Sequence, residues 1–197
     1  MIMQNHVQQS KIDQLEIGNR PPSVNKRISI RKLIKKFPIF IKKTIMEKYH
    51  IVLGVLYKQK EVIKKLYDDI HDLDLADHDK RYVFALKAQQ LFTAAEDLLK
   101  TIAGAFENQV NDHARYHAEL IGIMHTEIPG RRPALLSDNS KRLLDKLRAF
   151  EDWIRHGYDY ELDREELQLL QNKLKADFIY LVNDLDAFST FIKNLLE

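Results

Sequence analysis

The chain has 197 residues, of which 45% are hydrophobic with nine Phe and eight Tyr, enough for one core-bearing domain with or without an appendage. The absence of cysteine excludes disulfides, thiolate-ligated zinc and thiol catalysis, and fits a cytoplasmic protein. A net charge of +2 conceals an asymmetry: residues 1–46 hold ten Lys and Arg against Asp13 and Glu16, while the rest carries 21 basic and 27 acidic residues.

Residues 1–25 are polar, with Gln4, Gln8, Gln9 and a Pro21-Pro22-Ser23 break, and are expected to be disordered. Next comes a basic segment, Lys26, Arg27, Arg31, Lys32, Lys35 and Lys36, interleaved with Ile28, Ile30 and Ile34. Two readings stay open for it: a nucleic-acid or anionic-membrane patch, or an extension the domain does not use. The expected division is therefore a basic extension over 1–45 and a folded body over 46–197. No apolar run approaches the roughly 18 to 20 residues needed to span a bilayer, and no signal-peptide apolar region opens the chain. A soluble protein without a membrane partner is expected.

From Glu47 to about Leu75, Val52, Leu53, Leu56, Val62, Ile63, Leu66, Tyr67 and Ile70 recur at three- and four-residue steps and predict a long amphipathic helix. Asp72, Asp74, Asp77, His78 and Asp79 follow; acids in such a loop serve as caps more often than as metal ligands, and calcium-loop spacing is absent. Residues 80–107 repeat the period with Tyr82, Phe84, Leu86, Leu91, Phe92, Leu98, Leu99, Ile102 and Phe106. Ala85, Ala88, Ala94, Ala95, Ala103 and Ala105 among them allow close approach of neighbours, as suits a central helix.

Asp112 through Met124 read as a helix of about four turns. His113 and His117 are spaced to ligate a metal from one face, but no His-Glu-x-x-His pattern or third ligand accompanies them, so packing or capping is the expected role. Ile128-Pro129-Gly130-Arg131-Arg132-Pro133 is a rigid turn whose arginines are expected to decorate the loop. Ser137 is placed to cap the next helix, which carries Leu143, Leu144, Leu147, Phe150 and Ile154. Asp163-Arg164-Glu165-Glu166 reads as a capping-box variant opening a last helix with a stripe of Leu167, Leu170, Leu174, Phe178, Leu181, Leu185, Phe188, Ile192 and Leu195. The sum is an all-α, up-and-down helical bundle of four long helices and one short one.

Between those last two helices lies Phe150-Glu151-Asp152-Trp153-Ile154-Arg155-His156-Gly157-Tyr158-Asp159-Tyr160-Glu161-Leu162-Asp163, where the apolar period breaks at Gly157. This stretch puts His156 and Tyr158 at a helix end, where a functional pair is plausible. The alternative is that Tyr158 and Tyr160 pack as aromatic side chains.

Over residues 47–196 the chain resembles the HepT-like members of the HEPN superfamily, helical toxins paired with a small nucleotidyltransferase antitoxin. The resemblance rests on Phe92-Thr93-Ala94-Ala95-Glu96 running to Ile102-Ala103, on Tyr116-His117-Ala118-Glu119-Leu120-Ile121, on Arg132-Pro133-Ala134-Leu135-Leu136-Ser137, and on Phe150 through Asp163. It implies a HEPN-like bundle, a homodimer, metal-independent endoribonuclease activity, no cofactor, and RNA and the nucleotidyltransferase as partners. The family motif, an arginine, four residues, a histidine, any residue and a tyrosine, places the histidine at His156 and the AMP-accepting tyrosine at Tyr158.

The departure is at the arginine position, occupied by Glu151. Unit charges ~6 Å apart interact by about 2 to 3 kcal/mol at an effective dielectric near 20, so an acid there opposes a phosphate that an arginine would attract. Arg148 and Arg155 are the candidates to supply the missing cation. Two main hypotheses follow: a ribonuclease toxin using His156 with Arg148 or Arg155, and a catalytically degenerate HEPN protein that binds its nucleotidyltransferase partner as a dimer. A nucleic-acid-binding bundle driven by the basic arm is a third.

Overall fold

Apolar residues at helical spacing, with few glycines or prolines between residue 40 and the Pro129 turn, leave most of the body one regular solution. A computed structural model describes residues 39–106, 116–156 and 161–197, with 39–42 and 116 by backbone alone. Five α-helices occupy them: α1 (Ile39–Asp68), α2 (His78–Phe106), α3 (Tyr116–His125), α4 (Asp138–His156) and α5 (Arg164–Leu196). The fold is all-α, with four long helices and a short α3, as the sequence pattern predicts.

Two boundaries differ from the sequence reading. α1 begins at Ile39, upstream of Glu47 where the apolar period predicts the first long helix, and Pro38 just before it is a residue that helix N-termini tolerate. The same helix stops at Asp68, short of Leu75, because the chain turns there: Ile70 N–H donates to Tyr67 O (3.0 Å) and Leu73 N–H to Ile70 O (3.2 Å). Ile70 and Leu75 are buried in that turn. Its acids act as caps, Asp77 Oδ1 accepting from Asp79 N–H (3.0 Å) and Lys80 N–H (3.3 Å) at the start of α2.

α2 touches all four other helices, which makes it the central element. Its buried stripe contains Phe84, Leu91, Phe92, Leu98, Leu99 and Ile102, and Ala85, Ala88, Ala94 and Ala95 supply the close approach. Tyr82 and Leu86, counted with that stripe in the sequence, face outward instead, at 48% and 56% exposure. α1 and α5 run antiparallel: Tyr67 stacks on Phe178 with ring centroids 3.9 Å apart, and Lys60 meets Asp186 at 2.6 Å. Gln171 of α5 donates to Ile70 O (3.1 Å) and Leu73 O (2.9 Å), satisfying carbonyls of the first turn.

α4 lies against α2, α3 and α5, and both its ends are built by short polar residues. Ser137 caps its start, with Lys141 N–H donating to Ser137 O (2.9 Å), and Asp184 on α5 accepts from Ser137 N–H and Ser137 Oγ (2.7 Å each) and from Ser140 Oγ. Beyond its other end Asp163 caps α5, accepting from Glu165 N–H (2.7 Å) and Glu166 N–H (2.9 Å).

The turn between α3 and α4 corrects one expectation. Arg131 is exposed, but Arg132 is buried at 2% exposure. Its guanidinium donates to Ile123 O (2.9 Å), Thr126 O (2.9 Å) and Pro133 O (3.1 Å). A buried arginine thus adds donors to carbonyls at the end of α3 and in the turn that follows, where Ile123 O also accepts from Thr126 N–H (3.0 Å). Gly130 turns the chain at φ 79°, where a side chain would be strained.

Candidate functional site

α4 is the most sharply two-sided helix of the bundle. Leu143, Leu144, Leu147 and Phe150 go to the core, while Arg148, Glu151, Asp152 and Arg155 recur at three- and four-residue spacing along the flank beside that stripe. These four polar residues line a cleft of about 490 Å³, closed across from them by His117, Ala118 and Glu119 at the start of α3. Arg148 and Arg155, the two substitute cations, are thus brought together in one cleft with Glu151.

Within the cleft the two arginines are not equivalent. Arg155 Nη2 donates to Asp152 Oδ1 (2.8 Å), and its Nη1 lies 3.9 Å from Glu151 Oε1. The hydrogen bond from Arg155 holds the Asp152 carboxyl below the usual carboxylate range. Asp152, and secondarily Glu151, push the Arg155 guanidinium up. Arg148, by contrast, makes no ion pair among the described residues, and its Nε–H is buried without a hydrogen-bond acceptor. A buried donor left unpaired costs about 1 to 3 kcal/mol, so an acceptor that arrives with a ligand would be favoured there.

His156, the last residue of α4, is not among the residues that line the cleft. On a helix of 3.6 residues per turn it points about 80° away from Arg148, toward the side that carries Trp153. Its Nδ1 lies 2.8 Å from Asp152 O. A carbonyl can only accept, so Nδ1 carries a hydrogen, on a side chain 67% exposed.

The sequence reading named His117, with packing or capping as its expected role, but not its partner. His117 lines the cleft, and its Nδ1 contacts Oε1 of Glu96, a carboxylate buried at 5% exposure on α2. The other oxygen of Glu96 accepts from Lys100 Nζ (2.9 Å). The signal was present in the sequence: an acid between Ala95 and Leu98 on a buried stripe needs a partner from another element.

Tyr158 and Tyr160 lie outside the described residues, as do His113 and the basic arm. Trp153, half-buried, turns from the cleft and meets Phe150 at 5.8 Å between ring centroids. Among the described residues no group of three His, Asp or Glu is arranged to hold a metal ion, and no helix is long and apolar enough to cross a membrane.

A family model described as HepT-like protein matches residues 83–192, which span α2 to α5 and include every residue of the cleft. The chain belongs to the HepT-like proteins. No curated protein and no solved structure matches it. For a HepT-like protein the placement of Glu151 is now concrete: it stands in the cleft wall, only 14% exposed at its side chain, facing Arg155.

Proposed function

We propose that this HepT-like protein is a metal-independent endoribonuclease of a toxin–antitoxin pair, active as a homodimer and silenced by a nucleotidyltransferase that adds AMP to Tyr158. The observation that carries this reading is Arg148: among the described residues its guanidinium makes no salt bridge and its buried Nε–H has no acceptor, and it stands in the wall of a cleft on the helix that ends at His156. A phosphate oxygen would satisfy that donor, and Arg148 would then stabilise the charge that develops as the 2′-oxygen attacks. An adenylate on Tyr158, two residues from His156 in sequence, would place negative charge beside the histidine and repel RNA.

A second reading is favoured by a specific contact. Glu151 and Asp152 engage Arg155, so the motif position contributes an anion and occupies a cation. In that reading the fold and the partner are kept and cleavage is lost. RNA cleavage in EDTA by wild type and Glu151→Arg separates the two. EDTA-insensitive cleavage by wild type supports the ribonuclease; cleavage by Glu151→Arg alone supports the degenerate partner. Absence of cleavage by both proteins contradicts a phosphodiester site in this cleft.

A further inference from the structure

α5 avoids charge on two faces: the buried stripe, and the arc that points the opposite way, into solvent. From Leu169 to Thr190 that outward arc carries Leu169, Ile179 and Tyr180, exposed at 60%, 56% and 42%. Between and beyond them stand the exposed Asn172, Ala176, Asn183, Ala187 and Thr190. The outward arc of α1 carries Glu47, Lys58, Glu61 and Lys65 instead. Charges that border the α5 arc are engaged within the chain: Lys173 with Asp177, Lys175 with Asp72 (2.9 Å) and Asp186 with Lys60 (2.6 Å). Uncharged side chains along about 32 Å of exposed helix suit another helix better than water.

At the start of α5 this face meets, through Leu169, a groove of about 600 Å³. Glu161, Asp163, Glu165 and Glu166 line it against a single lysine, Lys146, with Phe150 and Leu170 beneath. The segment from Lys26 to Lys36 has the matching chemistry, six basic residues among Ile28, Ile30, Leu33 and Ile34. It cannot reach the groove of its own chain. Lys193 lies over the Tyr57 ring, so the start of α1 is about 27 Å beyond that level and Glu166 about 40 Å the other way. The stretch from Lys26 to Ile39 spans at most about 45 Å, short of the roughly 65 Å between Ile39 and the groove.

We propose that a second copy of this chain packs its α5 antiparallel on this outward face, with the basic segment of each copy in the acidic groove of the other. A two-fold axis between Ile179 and Tyr180 sets Ala176 opposite the second copy's Asn183 and Asn172 opposite its Ala187, so small residues meet where the helices approach, and Leu169 covers its Thr190 at either end. The same axis brings the groove level with the second copy's Tyr57, about 27 Å from that copy's Ile39 and within reach of its basic segment. Helix contact over this length buries on the order of 1,000 Å², the low end for a specific interface, and the exchanged segments enlarge it. The groove and the cleft flank α4 on opposite sides, so this interface does not depend on the ribonuclease reading.

The chain has no cysteine, so introduced cysteines report the packing without background. In the full-length protein without RNA, oxidation of Tyr180→Cys is expected to give a disulfide dimer, because the axis puts that position beside its own copy. Leu169→Cys should stay uncrosslinked, its two copies being about 32 Å apart. Both positions are exposed, so neither change opens the core. Sedimentation equilibrium should show a wild-type dimer, a Kd raised at least about tenfold in Glu165→Lys/Glu166→Lys, and recovery when Lys32→Glu/Lys35→Glu is added. A monomeric wild type, crosslinking at Leu169, or none at Tyr180 overturns the antiparallel packing. A Kd that the groove substitutions leave unchanged overturns the exchange of segments.

Discussion

Arg132 and Arg155 are both arginines near the end of a short or amphipathic helix, and their surroundings are opposite. Arg132 is buried and donates to three backbone carbonyls, none of which can leave. Arg155 is half-exposed and meets two carboxylates of its own helix, at 2.8 Å and 3.9 Å. The first is part of the scaffold, since a backbone acceptor has no alternative conformation to offer. The second belongs to a surface whose partners can be exchanged for a ligand's. The same contrast divides the molecule: polar groups at the α3–α4 turn and along α5 close helix ends, while those on the outer face of α4 and the start of α3 surround open space.

The sharpest way to break the comparison is to delete both kinds of arginine. Arg132→Met should cost about 3 to 4 kcal/mol of unfolding free energy in denaturant titration, because Thr126 O and Pro133 O lose the guanidinium and Ile123 O keeps only Thr126 N–H. A change below about 1 kcal/mol would mean that water replaces the guanidinium and that the turn is not held as described. Arg148→Met should leave stability within about 0.5 kcal/mol and lower RNA cleavage about 100-fold, equivalent to about 2.7 kcal/mol on the barrier. Loss of stability instead of cleavage would place Arg148 with the scaffold.

Two smaller effects sharpen the division. Asp184→Ala should destabilise by about 2 kcal/mol, since one carboxylate accepts from Ser137 N–H, Ser137 Oγ and Ser140 Oγ, and RNA cleavage by the folded fraction should not change. The smallest effect is at Asp152. Its carboxyl is held below the ordinary Asp value by Arg155, so its contribution to stability is complete above that value and is lost as pH falls through the lowered one. In an NMR pH titration the Asp152 midpoint should lie below 3.8 in wild type and rise in Arg155→Ala, with the difference shrinking in high salt. An unchanged midpoint would mean that Arg155 is not held by Asp152 in solution and is available to substrate.

Much of this fold is readable from spacing alone. The α5 stripe from Leu167 to Leu195 is buried at every apolar position named from the sequence except Leu195, which is partly buried, and Asp163 caps that helix. α2 was harder, because alanines carry little hydrophobic signal yet occupy the buried side, so Tyr82 and Leu86 were placed on the wrong face. Arg132 has no period to betray it, being in a loop; its clue is position, just past a helix end that needs donors. In the site, the α4 residues were legible because they share one helix. His117 and Glu96 are 21 residues apart on different helices, and only packing brings them together.

The most direct test of the account measures unfolding and cleavage on one preparation of His156→Ala in EDTA. His156 is exposed and, among the described residues, bonded to its own helix through Asp152, so the account predicts an unfolding midpoint equal to wild type and abolished RNA cleavage. Cleavage that survives at the wild-type rate would contradict it and move the chemistry away from the end of α4.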